Sequence, residues 1–374
     1  MKQSKTIALV LAIVLVAASL VGCSAKPVLA ATVGDQEITV TQLENSYNNS
    51  SSYASSYGYD TSTEEGVTQF RDYLLDNLIS SAMKIYQAKL AGITLTDEEI
   101  AAAKETAAAN YEDTVTSFKD QAEEAGATNV DAYAKTLLTK ALVQNKTTVK
   151  KLQATMLEDA ENETLVSKHR TALLEGVTMT DDELLAKYAE VLAEQKTQFD
   201  ATPSDYFSFE TYAQYGYNAP PLYVPAGFFR VRHILVADEA TANEIKAKID
   251  AGEDFEALLA EYGTDPGMQD ESNAAGYLIG EGASYVEEFL NAALALTSDG
   301  DVSDPVQSDY GWHIIKRVST EEAHEIPYED VKEAFDVYEQ ALYQQDYYAN
   351  IVSGWVADSS LVTKYPENYA SVGK

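Results

Sequence analysis

Cysteine, histidine and basic residues are the scarce elements of this chain. Its 374 residues include one cysteine and four histidines, so serine, cysteine or metal-based catalysis, which draws on clusters of such groups, finds no support in the composition. Lysine and arginine number 26 against 60 aspartates and glutamates, a formal net charge of −34. A field of that sign repels polyanions and excludes nucleic acid as a partner. The chain also lacks an apolar run of the roughly 18 to 20 residues that a spanning helix needs. What is present is a 45% hydrophobic composition, at a length suited to two or three cores of roughly 100 to 200 residues each.

The first residues, "MKQSKTIALVLAIVLVAASLVGCSA", place Lys2 and Lys5 ahead of the apolar run Ile7 to Gly22, then small residues around Cys23. This is the order of an export signal over 1–22, the run being too short for a transmembrane anchor. Leu20-Val21-Gly22-Cys23 resembles the bacterial lipobox, in which the cysteine is lipidated and becomes the first mature residue. The absence of any other cysteine fits, because a lone free thiol is an odd thing to export. A diacylated Cys23 implies anchorage to the membrane, at the outer face of the bacterial cytoplasmic membrane.

Beyond this leader the pattern is mostly helical. "ATVGDQEITVTQLEN" reads as a small strand turning at Gly34-Asp35 into a helix with a capping box, Thr39 and Gln42. The Ser/Tyr-rich tract 46–63 has neither helical nor strand periodicity and reads as a loop or insert. From 64 to about 198 one helical face stays apolar, as in Phe70, Leu74, Leu78, Ala82 and Ile85, with Gly92 read as a stop. Two later helices open with Thr96/Glu99 and Thr180/Glu183, both at capping-box spacing. A Tyr/Pro-rich linker, 200–227, excludes a continuous helix. Residues 228–319 then run strand, helix, helix, glycine-bearing loop, helix, strand, and 320–374 returns to a helical stripe. The expected architecture is α+β: a compact α+β domain over 228–319 inserted into a mainly helical domain, whose 23–227 part packs against 320–374.

Two of the four histidines lie in the only two clear strands of that inserted segment. In "RHILV" His233 shares a strand face with Val231 and Leu235, and in "YGWHIIKRV" His313 shares one with Ile315, with Trp312 opposite. One histidine on an apolar face is ordinarily a satisfied core residue. Two at matching places in neighbouring strands can meet. His169 and His324 lie in polar helical settings, where surface exposure is expected.

The blocks "RHILV", "GEDFEALLAEYGTDP", "EEFLNAALAL" and "GDVSDPVQSDYGWHIIKRV", in this order over 229–318, resemble the parvulin-type peptidyl-prolyl cis/trans isomerases. With the lipobox, the "ATVGDQEIT" opening and the helical flanks, the whole chain resembles the PrsA-type foldase lipoproteins. The resemblance implies a chaperone-like helical part, a catalytic trio of His233, Asp265 and His313, and a proline pocket of Leu278, Tyr285 and Phe289. It also implies a contribution from Tyr310, which stands where a small polar residue can occur. Asp265 in "GTDPG" also reads as a turn or helix cap, and Tyr285 and Phe289, four residues apart on one helix face, also read as plain core. The chain departs from the family at "NAAGYLIGEGAS", which keeps Gly276 and Leu278 of a "GGDLG"-like turn but lacks its aspartate and one glycine.

The resemblance implies isomerisation of X-Pro bonds in unfolded or newly exported proteins, with no metal and no cofactor, and it admits a homodimer. A chaperone or holdase whose parvulin domain binds without turnover is the alternative of another class. A solute-binding lipoprotein is the third; it calls for two lobes of alternating strands and helices, which the long helical runs oppose.

Overall fold

A computed structural model describes residues 26–374 apart from Ser359, so the export signal 1–22 and the lipobox Cys23 lie outside the described residues. The chain folds into two compact units: one from the described residues up to Val177 together with Gln344–Lys374, the other Thr178–Tyr343.

The first unit begins with β1 (Leu29–Val33) and β2 (Gln36–Thr39), an antiparallel hairpin where one strand was expected. The expected capping box is present: Thr39 and Gln42 close the start of α1 (Val40–Ser50). Chain 46–63 is a loop only over 58–63, because α1 continues through its start to Ser50 and a 3₁₀ segment follows over Ser51–Tyr57. Its apolar members hold it down. Tyr47 and Tyr59 each lie 5.5 Å from the Phe70 ring, and Ala54 is buried between them in the chain. Serine-rich composition hid these widely spaced anchors. α2 (Glu64–Leu90) packs Phe70, Leu75 and Ile79 onto the hairpin and ends at Gly92, whose positive φ of 73° suits a residue without a Cβ. α3 (Asp97–Glu124), α4 (Val130–Gln144) and α5 (Val149–Leu174) follow, α3 and α5 meeting through Ala103, Ala107, Leu152 and Met156.

The second unit opens with α6 (Asp181–Ala201), capped by Thr180 and Glu183, and α7 (Asp205–Gln214). α7 occupies the linker 200–227, between Pro203 and Pro220, which break the helix at its two sides without preventing it. β3 (Tyr223–Val224) leads to β4 (Phe228–Val236), α8 (Glu239–Asp250), α9 (Phe255–Tyr262), the short α10 (Pro266–Gln269), β5 (Tyr277–Ile279), α11 (Glu287–Leu294), β6 (Val306–Ser308), β7 (Gly311–Glu321) and β8 (His324–Glu325). The sheet is four-stranded and antiparallel, ordered β5-β4-β7-β6, so the two long strands visible in sequence are its centre and two three-residue strands form its edges. One face carries Ile234, Val236 and Ile314 under Ala242, Ile245 and Leu258 of α8 and α9. The other carries Val231, Ile279 and Ile315 under Phe289 and Ala293 of α11.

This unit reaches beyond the expected 228–319. Phe199, Tyr206, Phe207, Tyr223 and Val224 form one cluster with Phe228, so the preceding helices complete the core on that side. α12 (Tyr328–Ala357) likewise does not pack as a whole on the N-terminal part. Its fully buried Phe335 meets Ala219 and Leu222 in the second unit, while Trp355 and Val356 join the core of the first. β9 (Val362–Lys364) then pairs with β1, and α13 (Pro366–Tyr369) adds Tyr369 to the same core. His169 is buried, 6% exposed, its ring stacked 5.7 Å from Trp355, against the expectation of a surface position. A helical stripe in sequence does not reveal what lies opposite it.

Candidate active site

The register of β4 and β7 brings the two histidines together. His233 pairs with Ile315 and Leu235 with His313, so the imidazoles are diagonal neighbours on one face. Their Nδ1 atoms are 3.1 Å apart and their ring centroids 5.2 Å. Both are buried, at 3% and 4% exposed. Thr264 fastens the segment before Asp265 to β4, its N–H and hydroxyl both donating to the Leu235 carbonyl. Asp265 Oδ2 thereby comes within 2.7 Å of His233 Nε2 and accepts from the Tyr277 hydroxyl at 2.8 Å. Its Oδ1 accepts from Gly267 N–H at 3.3 Å and caps α10. Cap and histidine partner, alternatives in sequence, are divided between the two oxygens of one carboxylate.

These contacts fix the protons. The ionised carboxylate accepts from His233 Nε2–H, which leaves His233 Nδ1 as an acceptor for His313 Nδ1–H. His313 Nε2 then accepts from the Ser308 hydroxyl at 2.6 Å, and Ser308 Oγ itself accepts from Tyr310 N–H at 3.1 Å. The electrostatics agree. Burial pushes the His313 imidazole down to about 4, the neighbouring His233 adding to the effect. Burial also lowers His233 against the opposing pull of Asp265. Burial alone would raise Asp265, but hydrogen bonds from Tyr277 and His233 outweigh it and hold the carboxyl below its ordinary value. The Tyr277 hydroxyl is raised by burial and by Asp265.

Rings enclose the wire. Phe289 stands edge-on to His233 at 5.0 Å and to His313 at 5.3 Å, and Tyr285 lies 5.5 Å from Phe289 and 5.6 Å from Tyr277. Burial pushes the Tyr285 hydroxyl up to about 12, with Glu210 adding to the effect. Phe289 is buried, whereas Tyr285 and Tyr277 are half-exposed. Two expected pocket residues sit elsewhere. Leu278 pairs with Arg230 and packs on the cluster of Tyr206, Phe207 and Phe228; strand alternation turns Tyr277, one residue earlier, to the histidines instead. Tyr310 is 72% exposed on the β6–β7 turn and supplies only its backbone N–H to the network.

Tyr277 and Ser308 were missed in sequence. Tyr277 lies in the stretch that departs from the family, and Ser308 lies five residues before His313, a distance that only the hairpin closes. Gly276 supports Tyr277: at φ 93° a Cβ there would run into the Val231 carbonyl, so the β5 edge lies close on β4.

Residues 210–333 match the PPIC-type PPIASE domain family, and residues 1–121 match the SurA-like N-terminal domain family. The foldase protein PrsA of a Geobacillus species is 47% identical over 107 residues, 29% of this chain and 37% of the relative. Matches to the first curated relatives thus span between 30% and 39% of their length. The foldase protein PrsA of Clostridium acetobutylicum is 24% identical over 378 residues, 96% of this chain and 98% of the relative. Among solved structures, NmPin, the parvuline of Nitrosopumilus maritimus, is 34% identical over 25% of this chain and 98% of its own, with a TM-score of 0.22.

Proposed function

We propose, from the premise that the chain belongs to the PrsA-type foldases bearing a parvulin-type peptidyl-prolyl cis/trans isomerase domain, that it rotates X-Pro bonds in exported polypeptides while lipid on Cys23 holds it at the outer face of the cytoplasmic membrane. The observation that carries the catalytic part is the fully hydrogen-bonded wire Tyr277–Asp265–His233–His313–Ser308, its histidines neutral beside the ionised Asp265, with aromatic rings on its open side.

The reaction breaks no bond. Its barrier of roughly 18 to 20 kcal/mol is amide resonance, which water stabilises by hydrating the polarised carbonyl. Tyr285 and Phe289 grip the pyrrolidine ring and strip that hydration. The wire presents a fixed arrangement of dipoles that need not reorganise as the amide twists, and interactions stronger with the twisted amide than with the planar one appear in the rate. Neutral histidines serve this better than charged ones, whose desolvation in so closed a place is costly. Anchoring rests on the sequence "LVGC" and its single cysteine; among the described residues no helix is long and apolar enough to cross a membrane. Cys23→Ala should leave the protein released or unprocessed. A variant still membrane-bound with its signal removed would refute the anchor.

A second reading, a holdase with little turnover, draws on the closure of the site: Phe289 is 3% exposed beside histidines nearly as buried. Protease-coupled isomerisation of a proline peptide, run beside suppression of aggregation of a denatured client, separates the two. Catalysis lost in His233→Ala with aggregation suppression kept is the result expected. Wild-type protein with no rate above the uncatalysed one, yet suppressing aggregation, would replace the enzyme by the holdase.

A further inference from the structure

A second hollow lies in the first unit, apart from the histidines. It has a volume of about 710 Å³ and is walled by α2, α5 and the end of α12. Ser80 and Lys84 stand one turn apart on α2, and Arg170 reaches in from α5. α12 supplies Tyr348, Ala349, Val352 and Val356, the i, i+1, i+4, i+8 set that lines one helix face. Half of the wall is therefore aliphatic and half is hydrogen-bonding.

Three observations concern what this hollow takes. Neither Lys84 nor Arg170 is in an ion pair among the described residues, although 60 carboxylates are available in the chain. Nearby cations do find partners: Lys168 on Glu99 at 2.9 Å and Lys364 on Asp76 at 2.6 Å. Next, the Tyr348 hydroxyl is buried without a hydrogen-bond partner, and the Arg170 guanidinium lies 5.5 Å from the same ring. That hydroxyl has almost no accessible surface, so Tyr348 offers the hollow its ring and not its oxygen. Finally, the chain's net charge of −34 disfavours a polyanion, whereas a single anionic group asks no more than the two cations on the wall of the hollow. The aliphatic wall disfavours a bare phosphate or sulfate, which has nothing to place on it.

We propose that this hollow binds the C-terminal carboxylate of a polypeptide with an apolar last residue. Arg170 and Lys84 take the carboxylate, Val352 and Val356 the side chain, and the Ser80 hydroxyl the last peptide group. The proposal rests on the foldase reading only in that unfolded chains supply such ends; its chemistry is independent of proline.

The test uses a proline-free, fluorescein-labelled decapeptide ending in Leu-Val-Phe with a free carboxylate, beside the same peptide as its C-terminal amide. Binding to the full chain is read by anisotropy. The acid should bind at least about tenfold more tightly than the amide, the size that charge-assisted hydrogen bonds carry. Arg170→Ala and Lys84→Ala, checked for unchanged thermal melting, should erase most of that difference, and Arg170→Lys should restore part of it. Equal binding of acid and amide, or an acid preference that survives both alanine variants, overturns the proposal. Displacement of the probe by laurate but not by unlabelled peptide overturns it too, in favour of a fatty-acid site. His233→Ala should bind both probes like wild type, so an inactive isomerase and a failed carboxylate site remain distinguishable.

Discussion

Removing the Phe289 ring should cost the second unit nearly the full penalty of a large core truncation. The side chain is 3% exposed and meets three rings: His233 at 5.0 Å, His313 at 5.3 Å and Tyr285 at 5.5 Å. Phe-to-Ala changes in cores cost about 3 to 5 kcal/mol, depending on how far the surroundings collapse into the space. Here collapse is opposed. The imidazoles bordering the gap are tied by Asp265 at one end and Ser308 at the other, so they cannot move in without breaking hydrogen bonds. Phe289→Ala should therefore fall at the upper end, about 4 to 5 kcal/mol. Phe289→Leu, which refills most of the volume and loses the edge-on contacts, should cost about 1.5 kcal/mol. The two tryptophans make the assay specific. Trp312 is in β7 and Trp355 in the first unit, so in a Trp355→Phe background the remaining emission reports the second unit alone during urea unfolding. A cost below about 2 kcal/mol for Phe289→Ala would mean that the histidines relax into the gap, and the fixed wire would fall with it. Phe289→Leu with a wild-type isomerisation rate would remove the ring from the catalytic slot.

pH provides a second test. The folded values of His233 and His313 lie below the unfolded imidazole value, His313 at about 4. Between that and the ordinary 6.5 the unfolded chain binds protons more tightly than the folded one, so their stabilisation is complete above about 6.5 and is lost as pH falls through about 4. The stability gap between wild type and His313→Gln, followed by Trp312, should narrow from pH 7 to 4.5; a constant gap would refute burial as the cause. Expressed as separate pieces, residues 178–343 should melt well above residues 228–319, because the shorter piece strips Tyr206 and Phe207 from Phe228. Equal melting temperatures would show that those rings add nothing to the core.

Local signals in the sequence determined the helix starts, since a Thr-x-x-Glu or Thr-x-x-Gln box closes on itself within one turn and needs no distant partner. They also determined that His233 and His313 share faces with aliphatic residues, because strand alternation has a period of two whatever the strand pairs with. Everything requiring two distant segments was decided by tertiary structure. The serine-rich tract became helical up to Tyr57 because Phe70 takes Tyr47 and Tyr59 on either side of it. Leu278 gave its place to Tyr277 because β5 pairs with β4 in one register and not the next, and a shift of one residue exchanges faces. Ser308 reaches His313 only across the β6–β7 turn, and Asp265 is both cap and histidine partner because Thr264 fastens its segment to β4. Such placements depend on loop closure and sheet register, which residue order constrains only through the whole fold.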